Sequence, residues 1–186
     1  HDPDSLQGSD ASSWTDWEER MNYIAHLFEQ NHTNREIWRT DREEKTSWST
    51  PLVVEHAGKV QVITSATGRV RSYDFGTGKL LWETPGMTDN AIPTPVFGDG
   101  IAFLTSGFRG NALLAIRLAA AQGDVSGSDA IVWRYDRDTP YVPSPLLYGN
   151  ELYILKSNNG ILTAFNARTG DRLYEQVRIE AVPNVY

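Results

Sequence analysis

The chain has 186 residues, a formal net charge of −7 and no cysteine. An acidic balance disfavours nucleic acid and anionic membrane as main partners, because both call for a basic face. Disulfides and cysteine–zinc sites are excluded, and no apolar run approaches the ~18 residues of a membrane span.

Residues 1–35 give a mixed signal. The chain opens with His1-Asp2-Pro3-Asp4, with neither Met nor a basic region before an apolar run, which reads as a cut or processed end with no leader visible. Asp, Ser and Gly dominate residues 1–12 and predict a loop. Trp14, Trp17, Met21, Ile24 and Phe28 fall at helical spacing, and Thr15 with Glu18 fits a capping box, so a helix is expected over about residues 14–21. Tyr23, Ala25 and Leu27 also alternate, which leaves the end of this segment open between helix and strand. Glu36-Ile37-Trp38-Arg39 reads as a last strand, followed by a connector to residue 47.

From residue 48 the chain repeats. One unit holds Pro51-Leu52-Val53-Val54, Val60 to Thr64, Val70 to Asp74 and Lys79 to Glu83. The next holds Pro95-Val96-Phe97, Ile101 to Thr105, Ala112 to Ile116 and Ile131 to Arg134. The third holds Pro145-Leu146-Leu147, Glu151 to Leu155, Ile161 to Phe165 and Asp171 to Glu175. The marker prolines Pro51, Pro95 and Pro145 lie 44 and 50 residues apart, and Trp38, Trp82, Trp133 and Tyr174 lie 44, 51 and 41 apart. Each run is short and rich in β-branched, leucine and aromatic residues, and Asp-Gly, Asn-Gly or similar pairs separate neighbours. A period of about 40–50 residues with four short strands per unit predicts the blades of an all-β propeller. The expected division is 1–35 loop and helical insertion, 36–47 last strand and connector, blades at 48–90, 91–140 and 141–180, and the start of a further blade at 181–186. A closed ring needs on the order of 300 residues, so this is a partial propeller whose remaining blades lie in cis or in trans. Its flank beside Tyr174 is expected to be apolar, with self-association as the consequence.

Ser72-Tyr73-Asp74-Phe75-Gly76-Thr77-Gly78-Lys79-Leu80-Leu81-Trp82 resembles the tryptophan-docking motif of the pyrroloquinoline-quinone-type, or quinoprotein-repeat, β-propellers, A-x-D-x-x-T-G-x-x-x-W, with Ser for Ala at its first position. Ala164 to Tyr174 is similar, with Asn166 for Asp and Tyr174 for Trp; Thr169 and Gly170 are kept. The middle unit keeps Ala115 and Trp133 but replaces the Thr-Gly turn by a longer connection, Leu118 to Ala130. The resemblance implies that Trp38, Trp82, Trp133 and Tyr174 dock between blades and that Asp74, Thr77, Gly78, Thr169 and Gly170 form turns. These are scaffold roles and say little of activity.

Candidate chemistry is sparse. His1, His26, His32 and His56 show no metal-ligand pairing, and no nucleophile–base arrangement stands out. Gly107-Phe108-Arg109-Gly110-Asn111 lacks the helix a phosphate loop requires and reads as a hairpin turn. The charge order after Trp38 and after Trp133 repeats, consistent with ion pairs at a blade edge or a polar ring at a channel mouth. In an up-and-down blade, the blade connections and the turn between strands two and three share one face of the disc. That face carries Trp48, Arg69, Asn90, Phe108, Arg109, Tyr141 and Asn158, types enriched at binding hot spots. Packing between blades is the competing account of the aromatics. The opposite face is expected to hold the Gly-rich turns and the Leu118–Ala130 connection.

The family resemblance implies two functions. One is a non-catalytic scaffold for protein partners, like the periplasmic outer-membrane-assembly lipoproteins of the BamB type. The other is a fragment of a pyrroloquinoline-quinone (PQQ)-dependent dehydrogenase of alcohols or sugars, which would require PQQ and calcium. No segment matches the calcium ligands, and the vicinal disulfide common in such enzymes has no cysteines to form it. The expectation is therefore no cofactor, no catalytic residue and no metal site, an extracytoplasmic location, and protein partners or missing blades. A membrane-receptor sensor domain is a third possibility that residues 36–186 do not test.

Overall fold

The computed structural model describes residues 36–156 and 160–179. The expected helix over residues 14–21, the expected start of a further blade at 181–186, and Asn158 lie outside the described residues. Thirteen strands form among the described residues. The first blade comprises β1 (Leu52–His56), β2 (Lys59–Ala66), β3 (Arg69–Asp74) and β4 (Leu80–Pro85). The second comprises β5 (Val96–Gly98), β6 (Ile101–Ser106), β7 (Ala112–Arg117) and β9 (Ile131–Tyr135), with β8 (Gly123–Asp124) between β7 and β9 in the chain. The third comprises β10 (Leu146–Tyr148), β11 (Glu151–Lys156), β12 (Ile161–Asn166) and β13 (Arg172–Arg178). Within each blade, neighbours in sequence are neighbours in the sheet and all pair antiparallel. Trp82, Trp133 and Tyr174 each fall on the last strand of a blade, as the spacing predicts.

The strands differ in pattern because their blades differ in cover. In the middle blade, β6 and β7 are buried almost throughout. Ala102, Leu104, Leu114 and Ile116 face the first blade, where they meet Ile63, Val70 and Trp82. Ile101, Phe103, Leu113 and Ala115 face the third blade and meet Leu152, Ile154 and Phe165. A strand covered on both sides reads as a continuous apolar run, and one covered on one side alternates. The β11 pattern, with Leu152 and Ile154 buried between partly open neighbours, is the second kind. Burying a large aliphatic or aromatic side chain stabilises by roughly 1.5–3 kcal/mol. Since both clusters lie between blades, that stabilisation belongs to blade pairs.

The register assigns the other side of the third blade. Leu146 opposes Tyr153, Tyr153 opposes Ala164 and Ala164 opposes Tyr174, so these share one face. Tyr148 is 76% exposed and Leu146 and Val177 are also exposed, which makes this flank apolar.

One expectation requires correction. Residues 36–39 form no strand: residues 36–50 carry no regular secondary structure, and no strand among the described residues pairs with them. Trp38 nevertheless sits where a docking aromatic should. The Leu118–Ala130 connection does not simply rest on the turn side of its own blade. It reaches back so that Gly123 and Asp124 pair parallel with Trp82 and Glu83, adding a fifth strand to the first blade, and the Val125 N–H donates to Glu83 O at 2.9 Å. Buried Val125 and Ala130 anchor it in the cluster between the blades. An outer strand with unpaired backbone groups is thereby partly covered.

Candidate partner-binding face

Each docking turn is built the same way. The Asp74 N–H donates to Lys79 O at 2.8 Å, Gly78 N–H donates to Asp74 O at 2.9 Å, and Asp74 Oδ1 accepts from the Thr77 hydroxyl at 2.7 Å and the Thr77 N–H at 2.9 Å. Those Thr77 bonds, the hydroxyl first, hold the Asp74 carboxyl below its usual range. In the third blade Asn166 replaces the aspartate and its Oδ1 accepts from Arg168 N–H at 3.0 Å and Thr169 N–H at 3.2 Å. The neutral amide therefore supports the same turn. Because the folded-state pKa of Asp74 is depressed, its charge-linked stabilisation is present above the unfolded value and lost as pH falls through the folded one. Asp74→Asn should thus lower the melting temperature slightly at neutral pH, and melts of the two proteins should converge below about pH 4. A gap that persists unchanged into acid would contradict this.

The turns receive aromatics from the preceding segment. The Trp38 indole N–H donates to Phe75 O at 2.8 Å, and Trp133 donates to Ala167 O at 2.9 Å while stacking on Phe165 at 5.6 Å. Trp82 departs from this expectation. Its blade neighbour lacks the Thr-Gly turn, so the indole N–H donates at 2.9 Å to Gln61 Oε1 in its own blade, and the ring is 1% exposed. Tyr174 is 38% exposed.

The other end of the blades carries the expected binding face. Hydroxyl groups knit its connectors to its turns. The Thr67 N–H donates to Ser47 Oγ at 2.8 Å, the Thr67 hydroxyl donates to Thr46 O at 2.9 Å, and the Asn90 N–H donates to Thr67 Oγ1 at 3.0 Å. Asp89 and Phe108 form an isolated antiparallel bridge. Thr139, which the sequence reading did not single out, donates to Ser106 O at 2.7 Å and receives Ala112 N–H at 3.1 Å. In the sequence only its place before Pro140, in a blade connection, marks it. The backbone there passes so close to Gly107 that a Cβ would lie 2.3 Å from Thr139 O, which explains the Gly107 turn without phosphate.

On this framework the structure brings most of the expected residues together. Phe108 and Tyr141 stack at 4.9 Å, and the Arg109 guanidinium lies 5.1 Å from the Phe108 ring. Phe108, Arg109 and Asn90 line a hollow of about 280 Å³ with Lys45, Thr67 and Asp89. Arg69 pairs with Glu83 at 3.2 Å and lines a neighbouring hollow of about 340 Å³ that shares Lys45, Thr67 and Asp89. Trp48 is 68% exposed and its backbone N–H donates to Ala91 O at 2.9 Å, one residue from Asn90. The Phe108–Tyr141 stack is a packing contact, while Trp48 and Arg109 remain open to solvent, so both accounts of the face hold for part of it.

The repeated charges after the tryptophans reach across blades. Asp138 pairs with Lys156 and accepts from Gln176, both of the third blade, and Lys156 keeps the Asp138 carboxyl low. Glu44 pairs with Arg71, which also donates to Glu83 at 3.0 Å. Ser49 and Ser144 likewise link blade openings, through Pro93 O at 2.9 Å and Thr94 N–H at 2.9 Å. Among the described residues no group of three or more His, Asp or Glu side chains comes together as a metal site, and no helix is long and apolar enough to cross a membrane.

Antiparallel four-stranded blades, with docking turns that receive tryptophans, define a quinoprotein-repeat β-propeller. A family model described as outer membrane protein assembly factor BamB matches residues 22–181, and the chain belongs to that family. The crystal structure of BamB from Moraxella catarrhalis is similar in fold, with a TM-score of 0.55 at 15% identity over 78% of this chain. The match covers 44% of that protein, so this chain spans less than half its length. A search of curated proteins finds no match.

Proposed function

We propose that this chain is a non-catalytic propeller scaffold that binds protein partners in outer membrane protein assembly, outside the cytoplasm. Membership of the BamB family supports the reading, and the single structural observation behind it is the face on which Phe108 and Arg109 line a shallow hollow, with Tyr141 stacked on Phe108 and Trp48 exposed on the same face. Exposed Trp48 and Arg109, beside a half-buried Tyr141, supply contact area on a hydrogen-bonded framework at little conformational cost. The face mixes Lys45, Arg69 and Arg109 with Glu43 and Asp89, which suits a polar rim around an aromatic anchor. The proposal includes no PQQ, no calcium and no catalytic residue.

The test is photo-cross-linking in a Gram-negative cell, with the reactive group placed at Trp48, at Phe108, and at Gly149 on the opposite turns. Adducts to outer-membrane assembly proteins from positions 48 and 108, absent from 149, are expected. Trp48→Ala with Arg109→Ala should weaken the captured interaction at least about tenfold. Equal adducts from all three positions, or none, would remove the face from the proposal. A quinone absorbance that co-purifies stoichiometrically in the presence of calcium would instead favour the dehydrogenase fragment.

A further inference from the structure

The turn missing from the second blade leaves a cleft on the opposite side from the candidate face. In the other two blades the corresponding space is closed, with Gly78 against the Trp38 ring and Gly170 against the Trp133 ring. Here the connection runs back to β4 and a cleft of about 440 Å³ opens between the β1–β2 and β3–β4 turns of the first blade and the Leu118–Gln122 stretch. Such a volume suits a few residues of a ligand. β8 pairs only with Trp82 and Glu83, so among the described residues no strand lies outside Leu80 and Leu81.

Two features of the lining point to a ligand. Gln61 is 5% exposed and lines the cleft. Its Oε1 accepts from the Ser72 hydroxyl at 2.7 Å and from the Trp82 indole at 2.9 Å. An indole N–H only donates, which fixes the amide with oxygen toward Trp82. The Nε2 is then the donor Gln61 offers the cleft, and it has no acceptor among the described residues. The second feature is charge. Lys59, Lys79 and His56 line the cleft and no carboxylate does, in a chain of net charge −7. The adjoining hollow shares His56 and adds Arg117 and Arg168, the latter paired with Asp99 at 2.8 Å. Asp74 is close enough to Lys79 to feel its charge, but its carboxylate is occupied by Thr77.

We infer that this cleft receives an extended acidic peptide segment of a partner protein. The segment's backbone runs beside Leu80 and Leu81 as an added strand, in the β-augmentation mode. Its apolar side chain rests on Leu81 and Leu118, and its carboxylates lie between Lys59 and Lys79, one accepting from Gln61 Nε2. This site is separate from the Trp48–Phe108 face and does not depend on it.

The experiment uses the full chain and a fluorescein-labelled peptide of alternating leucine and glutamate, read by polarisation, with a leucine–lysine peptide as control. Saturable binding of the acidic peptide alone is expected. It should weaken about tenfold in Lys59→Gln and in Lys79→Gln, more in the double variant, and also in about 0.5 M salt. The Trp82 indole N–H resonance should shift on binding and the Trp48 resonance should stay. Both lysines are exposed, so these variants keep the fold. Gln61→Glu keeps the acceptor for Trp82 while removing the donor, and should also weaken binding. Equal binding of the lysine peptide, full affinity in the double lysine variant, or a shift at Trp48 in place of Trp82 would overturn the inference. So would displacement by free glutamate at the peptide's own concentration, which would make this a site for small carboxylates.

Discussion

Replacing Gly170 with alanine will cost about 2–5 kcal/mol of stability, because two penalties add. Gly170 sits at φ +76°, a left-handed conformation that strains any L side chain, and a Cβ there would lie 2.7 Å from the Trp133 ring. The ring cannot retreat freely, since it stacks on Phe165 at 5.6 Å and donates to Ala167 O at 2.9 Å. The melting temperature should fall by roughly 5–15 °C for a chain of this size. Gly149→Ala separates the two penalties: its φ is +57° and nothing lies within 4 Å of the new Cβ, so only the backbone term of about 1 kcal/mol applies. If both variants melt alike, the close approach of ring to turn is not a constraint and the docking geometry described above is wrong.

Trp82→Ala will cost about 3–5 kcal/mol, and Tyr174→Ala about 1 kcal/mol or less. The two occupy equivalent places in the repeat but differ in cover, 1% against 38% exposed. Trp82 is packed in the cluster with Leu104, Leu114 and Val125, and its removal leaves a cavity that the surrounding strands cannot close. Its hydrogen bond adds a separable term. Trp82→Phe and Gln61→Met, alone and combined, form a double-mutant cycle with an expected coupling of about 1 kcal/mol. Chemical denaturation of the four proteins measures it. Additive effects would mean that the indole bond contributes nothing.

The contrast between these aromatics shows what the sequence carries. The blade period, the strand positions and the Asp74-x-x-Thr77-Gly78 turn were legible because each is local. Alternation, turn residues and spacing are written within about ten residues of chain. The two-sided cover of the middle blade had a signal as well, the uninterrupted runs Ile101–Leu104 and Ala112–Ile116, which the repeat pattern above left unread. The location of Trp48, Asn90, Phe108 and Arg109 on one face followed from strand parity alone.

Other features were decided only by the tertiary structure. Nothing local to Leu118–Ala130 says that Gly123 and Asp124 pair with Trp82 and Glu83, some forty residues earlier in the chain. That pairing depends on an edge left open in another blade. The diversion of the Trp82 indole to Gln61 follows from it, and so does the cleft with its lysines. Asp138 meets Lys156 because blades abut, and Thr139 meets Ser106 because the blade connection folds back over a strand end of its own blade, relations the order of residues does not contain. The sequence determined the units, since period-two side-chain order and turn chemistry act between neighbours. The contacts between units were settled by which faces and edges remained uncovered once the units had formed, and that is a property of the assembled arc.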